Sequence, residues 1–184
     1  MNHLPSNSAA STATDERDRF EAEYGALGWI KGPHALRADK TRQRQFWASA
    51  GAEGAAWLAS RLREESHVDV LRAAAEMLAG LKGAAIAPIV AQLRADPTTE
   101  QAEALLTALS WIPAEPCSSG EELLAATLTP YLSHDDADLR EAAISATAAV
   151  GGNQAVQLLR ALQNSERNPE LSALIAARIR SYEC

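Results

Sequence analysis

The side chains best suited to metal binding or nucleophilic chemistry in this 184-residue sequence are four histidines, His3, His34, His67 and His134, and two thiols, Cys117 and Cys184. A zinc site needs three or four such ligands to converge, and spacings such as CxxC or HExxH usually announce it. Neither spacing occurs, and the histidines are scattered. His67 and His134 each follow a serine just before an expected helix, but they can meet only across two of the repeats described below. Cys117 adjoins Ser118 and Ser119, yet no base that would activate it lies nearby in sequence. No Gly-rich phosphate loop is present. The reading is a non-enzyme with no catalytic residue, metal or cofactor. The two cysteines read as free thiols in a reducing compartment.

Composition points the same way. Hydrophobic residues make up 47% and aromatics only 5%. Much of the apolar content is alanine, which suits closely approaching helices better than a thick central core. The formal charge of -7 disfavours nucleic acid and acidic membranes, which require clustered Lys and Arg. From Asp96 to Glu141 ten acids face Arg140 alone, whereas from Lys31 to Arg72 eight basic residues outnumber five acids. Met1–Thr14 lacks the basic and apolar regions of a signal peptide, and no stretch approaches the ~20 apolar residues of a membrane helix. The expectation is a cytoplasmic protein with a disordered tail over 1–15.

The elements come from internal repetition. Sliding Val70–Leu81 by 69 positions onto Leu139–Val150 aligns Val70 with Leu139, Ala73 with Ala142, Ala74 with Ala143 and Leu81 with Val150. The register continues without a gap through Gly83 and Gly152, Ile89 and Leu158, and Leu93 and Leu162. Between these units Ala102, Leu106 and Leu109 follow Ala74, Leu78 and Leu81 by 28, whereas Leu128 and Leu132 follow Ile89 and Leu93 by 39. The eleven extra residues must include the loop-like Pro113–Gly120. Ala55, Leu58, Ala59 and Leu62 precede Ile86, Ile89, Val90 and Leu93 by 31, and Leu171, Ile175, Ile179 and Tyr182 follow Leu139, Ala143, Thr147 and Val150 by 32.

Apolar spacings of three and four make each unit a helix pair. Helices are predicted near 16–27, 36–50, 53–64, 68–81, 86–95, 99–111, 121–132, 137–150, 154–163 and 169–182. Thr98 with Gln101, and Ser119 with Glu122, fit capping boxes; Asn168-Pro169 fits an N-cap with Pro at the first helical position. Pro88 fits a first-turn position, and Gly83 and Gly151-Gly152 fit helix ends. The predicted fold is all-α, a right-handed α-solenoid of about four antiparallel helix pairs with a C-terminal capping helix. It divides into a capping region at 16–50 and repeats at 53–182, within 16–184 overall. Trp29, in Gly25–Pro33, is expected to cover the first layer.

These residues resemble HEAT repeats of the short bacterial kind, also seen in the phycobilisome-lyase family. The likeness rests on Leu139-Arg140, Ala142-Ala143, Val150-Gly151, Ala155-Val156 and the Pro-containing Ile86–Val90. It covers about Glu53 to Tyr182 and departs at Thr147 and Leu71, where the family has a large apolar residue and Arg.

The resemblance implies that second helices line a concave binding face. In register, that face carries Trp57, Pro88, Thr127 and Gln157; then Ser60, Ala91, Pro130 and Arg160; then Arg61, Gln92, Tyr131 and Ala161. Trp, Tyr and Arg dominate binding hot spots. The competing reading is that Trp57 and Tyr131 pack against neighbouring helices. The acidic middle suits a basic protein partner, unless the acids serve helix N-termini. The leading function is a non-catalytic scaffold or adaptor binding another protein, including an inhibitor or immunity-type role. The likeness also suggests a bilin lyase-like subunit, for which the face offers only Arg61 and Arg160 to propionates. A HEAT-like nucleic-acid binder would need a basic face.

Overall fold

The computed structural model describes residues 8–27, 36–112 and 121–182, with side chains at 15–26, 41–112 and 125–182. It is all-α, and no strand occurs among the described residues. The helices are α1 (Ser8–Leu27), α2 (Leu36–Leu62), α3 (Val68–Gly80), α4 (Gly83–Leu93), α5 (Thr99–Ser110), α6 (Glu121–Leu132), α7 (Ala137–Val150), α8 (Gly152–Gln163) and α9 (Pro169–Arg180). None is long and apolar enough to cross a membrane.

The boundaries follow the predicted ones with instructive differences. α1 begins at Ser8, inside the stretch expected to be disordered. Ala9, Ala10 and Ala13 carry the strongest helix propensity there. α2 covers two predicted helices, and its ladder breaks at Gly51 (φ 57, ψ -138). Pro88 lies in the middle of α4, not in a conventional first turn. The start of α4 is wound in i→i−3 steps, with Ala84 N–H to Leu81 O at 3.3 Å and Ala85 N–H to Lys82 O at 3.0 Å. Nor does Gly83 end the preceding helix. Leu81 caps α3, Lys82 makes the bend, and Gly83 opens α4.

That bend recurs at repeat spacing. Lys82 (φ 52, ψ -133) corresponds to Gly51 31 positions earlier and to Gly151 (φ 72, ψ -165) 69 positions later. Glycine is the default where φ is positive, and Lys82 adopts the same turn with a Cβ. From α3 onward each odd-numbered helix contacts the next odd one, α3 to α5 to α7 to α9. The even helices do the same, α2 to α4 to α6 to α8.

Caps close the helix starts. Thr98 and Gln101 form the predicted capping box, and Asn168 accepts from Glu170 and Leu171 N–H ahead of Pro169. Asp136 caps α7, and Glu100 and Asp138 sit in first turns, where acids offset the helix dipole. Ser119–Glu122 lies outside the described side chains.

Helix ends leave carbonyls without intrahelical donors. Here long side chains from about one repeat away supply several. Gln101 Nε2 donates to Arg63 O (2.9 Å) and Glu65 O (3.0 Å), Tyr131 Oη donates to Leu93 O (2.5 Å), and the Tyr182 hydroxyl donates to Ala148 O. Arg140 Nη1 reaches His134 O (2.8 Å) and Asp135 O (2.9 Å), while its Nε bonds Glu166 at 3.0 Å. The core runs through all these helices and includes Leu58, Leu78, Ile89, Leu106, Leu128, Ile144, Leu159 and Ile175. Thr147 joins it as a buried polar group, its hydroxyl turned back to Ala143 O at 2.8 Å.

Candidate binding groove

The even helices carry the predicted face, and the structure assigns its residues to three different environments. At the N-terminal end Phe20, Tyr24, Phe46, Trp47 and Trp57 form one aromatic cluster. Trp57 stacks on Trp47 at 5.8 Å and 20° and meets Phe20 at 5.5 Å and Tyr24 at 5.8 Å. Trp57 is therefore a half-buried packing residue. Trp47 is fully buried, and its indole N–H donates to Gln43 Oε1 at 3.1 Å. Gln43 in turn donates to Glu23 Oε2 at 2.7 Å. Arg61 lies over the Tyr24 ring at 5.5 Å and pairs with Glu64. Ser60 is exposed, with its hydroxyl on Trp57 O at 2.7 Å. This cluster covers the end layer, the role expected of Trp29; Trp29 itself lies outside the described residues.

In the middle, α4 and α6 make the sparsest contact of successive even helices, and a groove of about 510 Å³ opens between them. The longer α5–α6 connection falls at this step of the repeat. α6 contributes Ala126, Thr127, Pro130 and Tyr131; the α4–α5 turn adds Leu93, Arg94, Asp96 and Pro97. Thr99 and Ala102 of α5, His134 and Leu139 complete it. Its volume is in the range of ligand pockets. Tyr131 and Thr127 both line it. Thr127, however, is only 6% exposed, because α6 turns that side chain inward, and it forms wall more than reachable surface.

At the C-terminal end Gln157 and Arg160 are exposed on α8. Pro88 and Gln92 are half-buried on α4, and Gln92 Oε1 is buried with no hydrogen bond to it among the described residues.

The groove's polar groups are largely committed to the fold. Burial first, and the Asp96 carboxylate second, push the Tyr131 phenol above its ordinary value, so it stays a neutral donor to Leu93 O. His134 Nδ1 accepts from the Asp136 N–H at 3.1 Å. The arrangement can bury an apolar group beside exposed charge. It offers no nucleophile paired with a base. Among the described residues no group of three or more His, Cys, Asp or Glu is placed to hold a metal ion. His3, His34, Cys117 and Cys184 lie outside the described residues.

Sequence reasoning missed Arg94, Asp96 and His134 at the groove. They occupy turns, which the helical register does not index. It also missed Phe20, Tyr24, Phe46 and Trp47, which lie before the repeats. Comparison with known proteins finds no matching family model, no curated relative and no solved structure.

Proposed function

We propose that this chain is a right-handed α-solenoid of HEAT-like helix pairs that acts as a non-catalytic scaffold, holding a partner protein against its even-numbered helices. The recurrence of one bend at Gly51, Lys82 and Gly151, with odd helices meeting odd and even meeting even, supports linear stacking. The observation that carries the functional reading is the groove between α4 and α6, in the middle of the even row, flanked toward the C-terminus by exposed Gln157 and Arg160. Interfaces draw their energy from aromatic and Arg anchors in such central recesses.

The test is affinity capture from the native cell with the wild-type chain and with a variant carrying Ala126→Arg, Gln157→Glu and Arg160→Glu. All three positions are exposed, and an unchanged circular dichroism spectrum checks that the variant is folded. A partner retained by wild type and lost by the variant supports the reading. A partner held equally by both rejects this face.

A further inference from the structure

We propose that the occupant of the α4–α6 groove is a basic peptide segment that inserts an apolar side chain between Pro130 and Leu93 and sets Lys or Arg against the flanking turns. This rests on the scaffold reading and names the chemistry of its ligand.

Three observations lead there. The first is the lining. Leu93, Pro97, Ala102, Ala126, Pro130 and Leu139 make the recess mostly apolar. The Tyr131 hydroxyl and His134 Nδ1, two groups able to orient a small polar ligand, are engaged with Leu93 O and Asp136 N–H. Apolar contact and undirected charge are the main terms left.

The second is the charge around the opening. Asp96 lines the groove, and Glu100, Asp135, Asp136 and Asp138 are exposed next in sequence to its lining residues Thr99, His134 and Leu139, against Arg94 as the exposed cation in the lining. Arg140, the next nearest in sequence, is tied to Glu166 and two turn carbonyls. Part of this acidity serves helix N-termini, but helix dipoles do not cancel the field of five carboxylates in and beside the lining segments. An acidic segment would meet that field unfavourably, and a basic one is steered toward it.

The third is Pro130, the tenth residue of α6. Proline has no N–H to give the carbonyl four residues earlier. That carbonyl belongs to Ala126, which also lines the groove. The Ala126 carbonyl therefore lacks its usual helical donor, and the Pro130 ring leaves an apolar ridge on this stretch of α6.

The experiment uses the full chain and short fluorescent peptides read by anisotropy: one alternating Leu and Lys, a twin with Leu replaced by Ser, and a twin with Lys replaced by Glu. Spermine serves as competitor. The Leu–Lys peptide is expected to bind, with affinity falling as salt rises. Each twin should bind about tenfold more weakly or worse. Ala126→Arg and Thr99→Arg, both exposed and both lining the groove, should each weaken the Leu–Lys peptide about tenfold with an unchanged circular dichroism spectrum. Two variants keep the test intact should one perturb folding. Equal binding of the Glu twin, full competition by spermine at matched charge, or wild-type affinity in both Arg variants would overturn the inference. In any of those cases the scaffold reading stands or falls separately, on whether the triple variant loses the partner captured from the cell.

Discussion

Lys82→Gly should make this protein more stable, although it removes a side chain and inserts the poorest helix former short of proline. Lys82 stands where Gly51 stands one repeat earlier and Gly151 two repeats later, with φ 52 and ψ -133 against φ 57 and ψ -138 at Gly51. A non-glycine residue held in such a region costs of order 1–3 kcal/mol. Glycine's extra freedom in the unfolded chain takes back about 0.4–1 kcal/mol. The Lys82 side chain is exposed, so little packing is lost. The net expectation is a gain of about 1 kcal/mol, or roughly 2–4 °C in Tm for a chain of this size. Gly51→Ala is the mirror experiment. A Cβ at Gly51 meets nothing within 4 Å, so its expected loss of about 1 kcal/mol is purely backbone strain. Urea titrations of both variants should move the midpoint in opposite directions at constant slope. If Lys82→Gly is neutral or destabilising while Gly51→Ala is harmless, the bend is not strained and the reasoning fails.

Arg140→Met takes the cation from Glu166, whose side chain is 5% exposed, and a donor from two turn carbonyls. The loss near neutral pH should be about 2–3 kcal/mol by urea unfolding. Burial works against the Glu166 charge, but bonds from Asn168 N–H and Arg140 outweigh it and hold the carboxyl below its ordinary 4.5. A lowered folded value gives stability that is present above the unfolded value and is lost as pH falls through the folded one. The gap between wild type and variant should therefore narrow as pH falls below the ordinary carboxylate range, and an unchanged gap would contradict the pairing. Trp47→Ala empties a fully buried site in the aromatic cluster and should cost about 3–5 kcal/mol, measured the same way; a loss under about 1 kcal/mol would show that the cluster is not a cap. All three tyrosines, Tyr24, Tyr131 and Tyr182, are pushed up, chiefly by burial. Their neutral forms support the fold below the unfolded value near 10, and that support is lost as pH rises through the folded values. Phenolate absorbance should therefore lag free tyrosine and appear together with alkaline unfolding, whereas three ordinary titrations would refute it.

The repeat was legible because alanine and leucine at spacings of 69, 31 and 32 reported buried helix faces, and those positions, such as Ala74, Ala143 and Leu58, are fully buried. The caps at Thr98 and Asn168 were legible because capping is local chemistry. Lys82 was not, since the sequence shows Gly83 beside it and a glycine looks like the natural site of the bend. The chain bends one residue earlier because the repeat register, set by buried Leu81 and Ala85, leaves position 82 at the corner. Trp57 was placed on the face by register alone. Register gives the side of a helix, but it does not report that Phe20 and Tyr24, from outside the repeats, come to cover that side.

On the proposed scaffold reading, that difference bears on where along the even row a partner would bind. A stack of helix pairs must hide its first layer, and on that proposed architecture the hiding elements occupy the N-terminal third of the face: Trp57 is stacked and Arg61 is drawn onto the Tyr24 ring and toward acids of its own chain. A partner there would have to displace aromatic contacts that hold the fold. Further along, Tyr131 spends its hydroxyl on Leu93 O yet leaves a recess beside it, and Gln157 and Arg160 stay exposed on α8. On the proposed scaffold reading, the N-terminal third serves stability, and recognition would fall to α4, α6 and α8. Substitutions at Trp57 should accordingly change unfolding before they change binding, whereas Ala126→Arg should do the reverse.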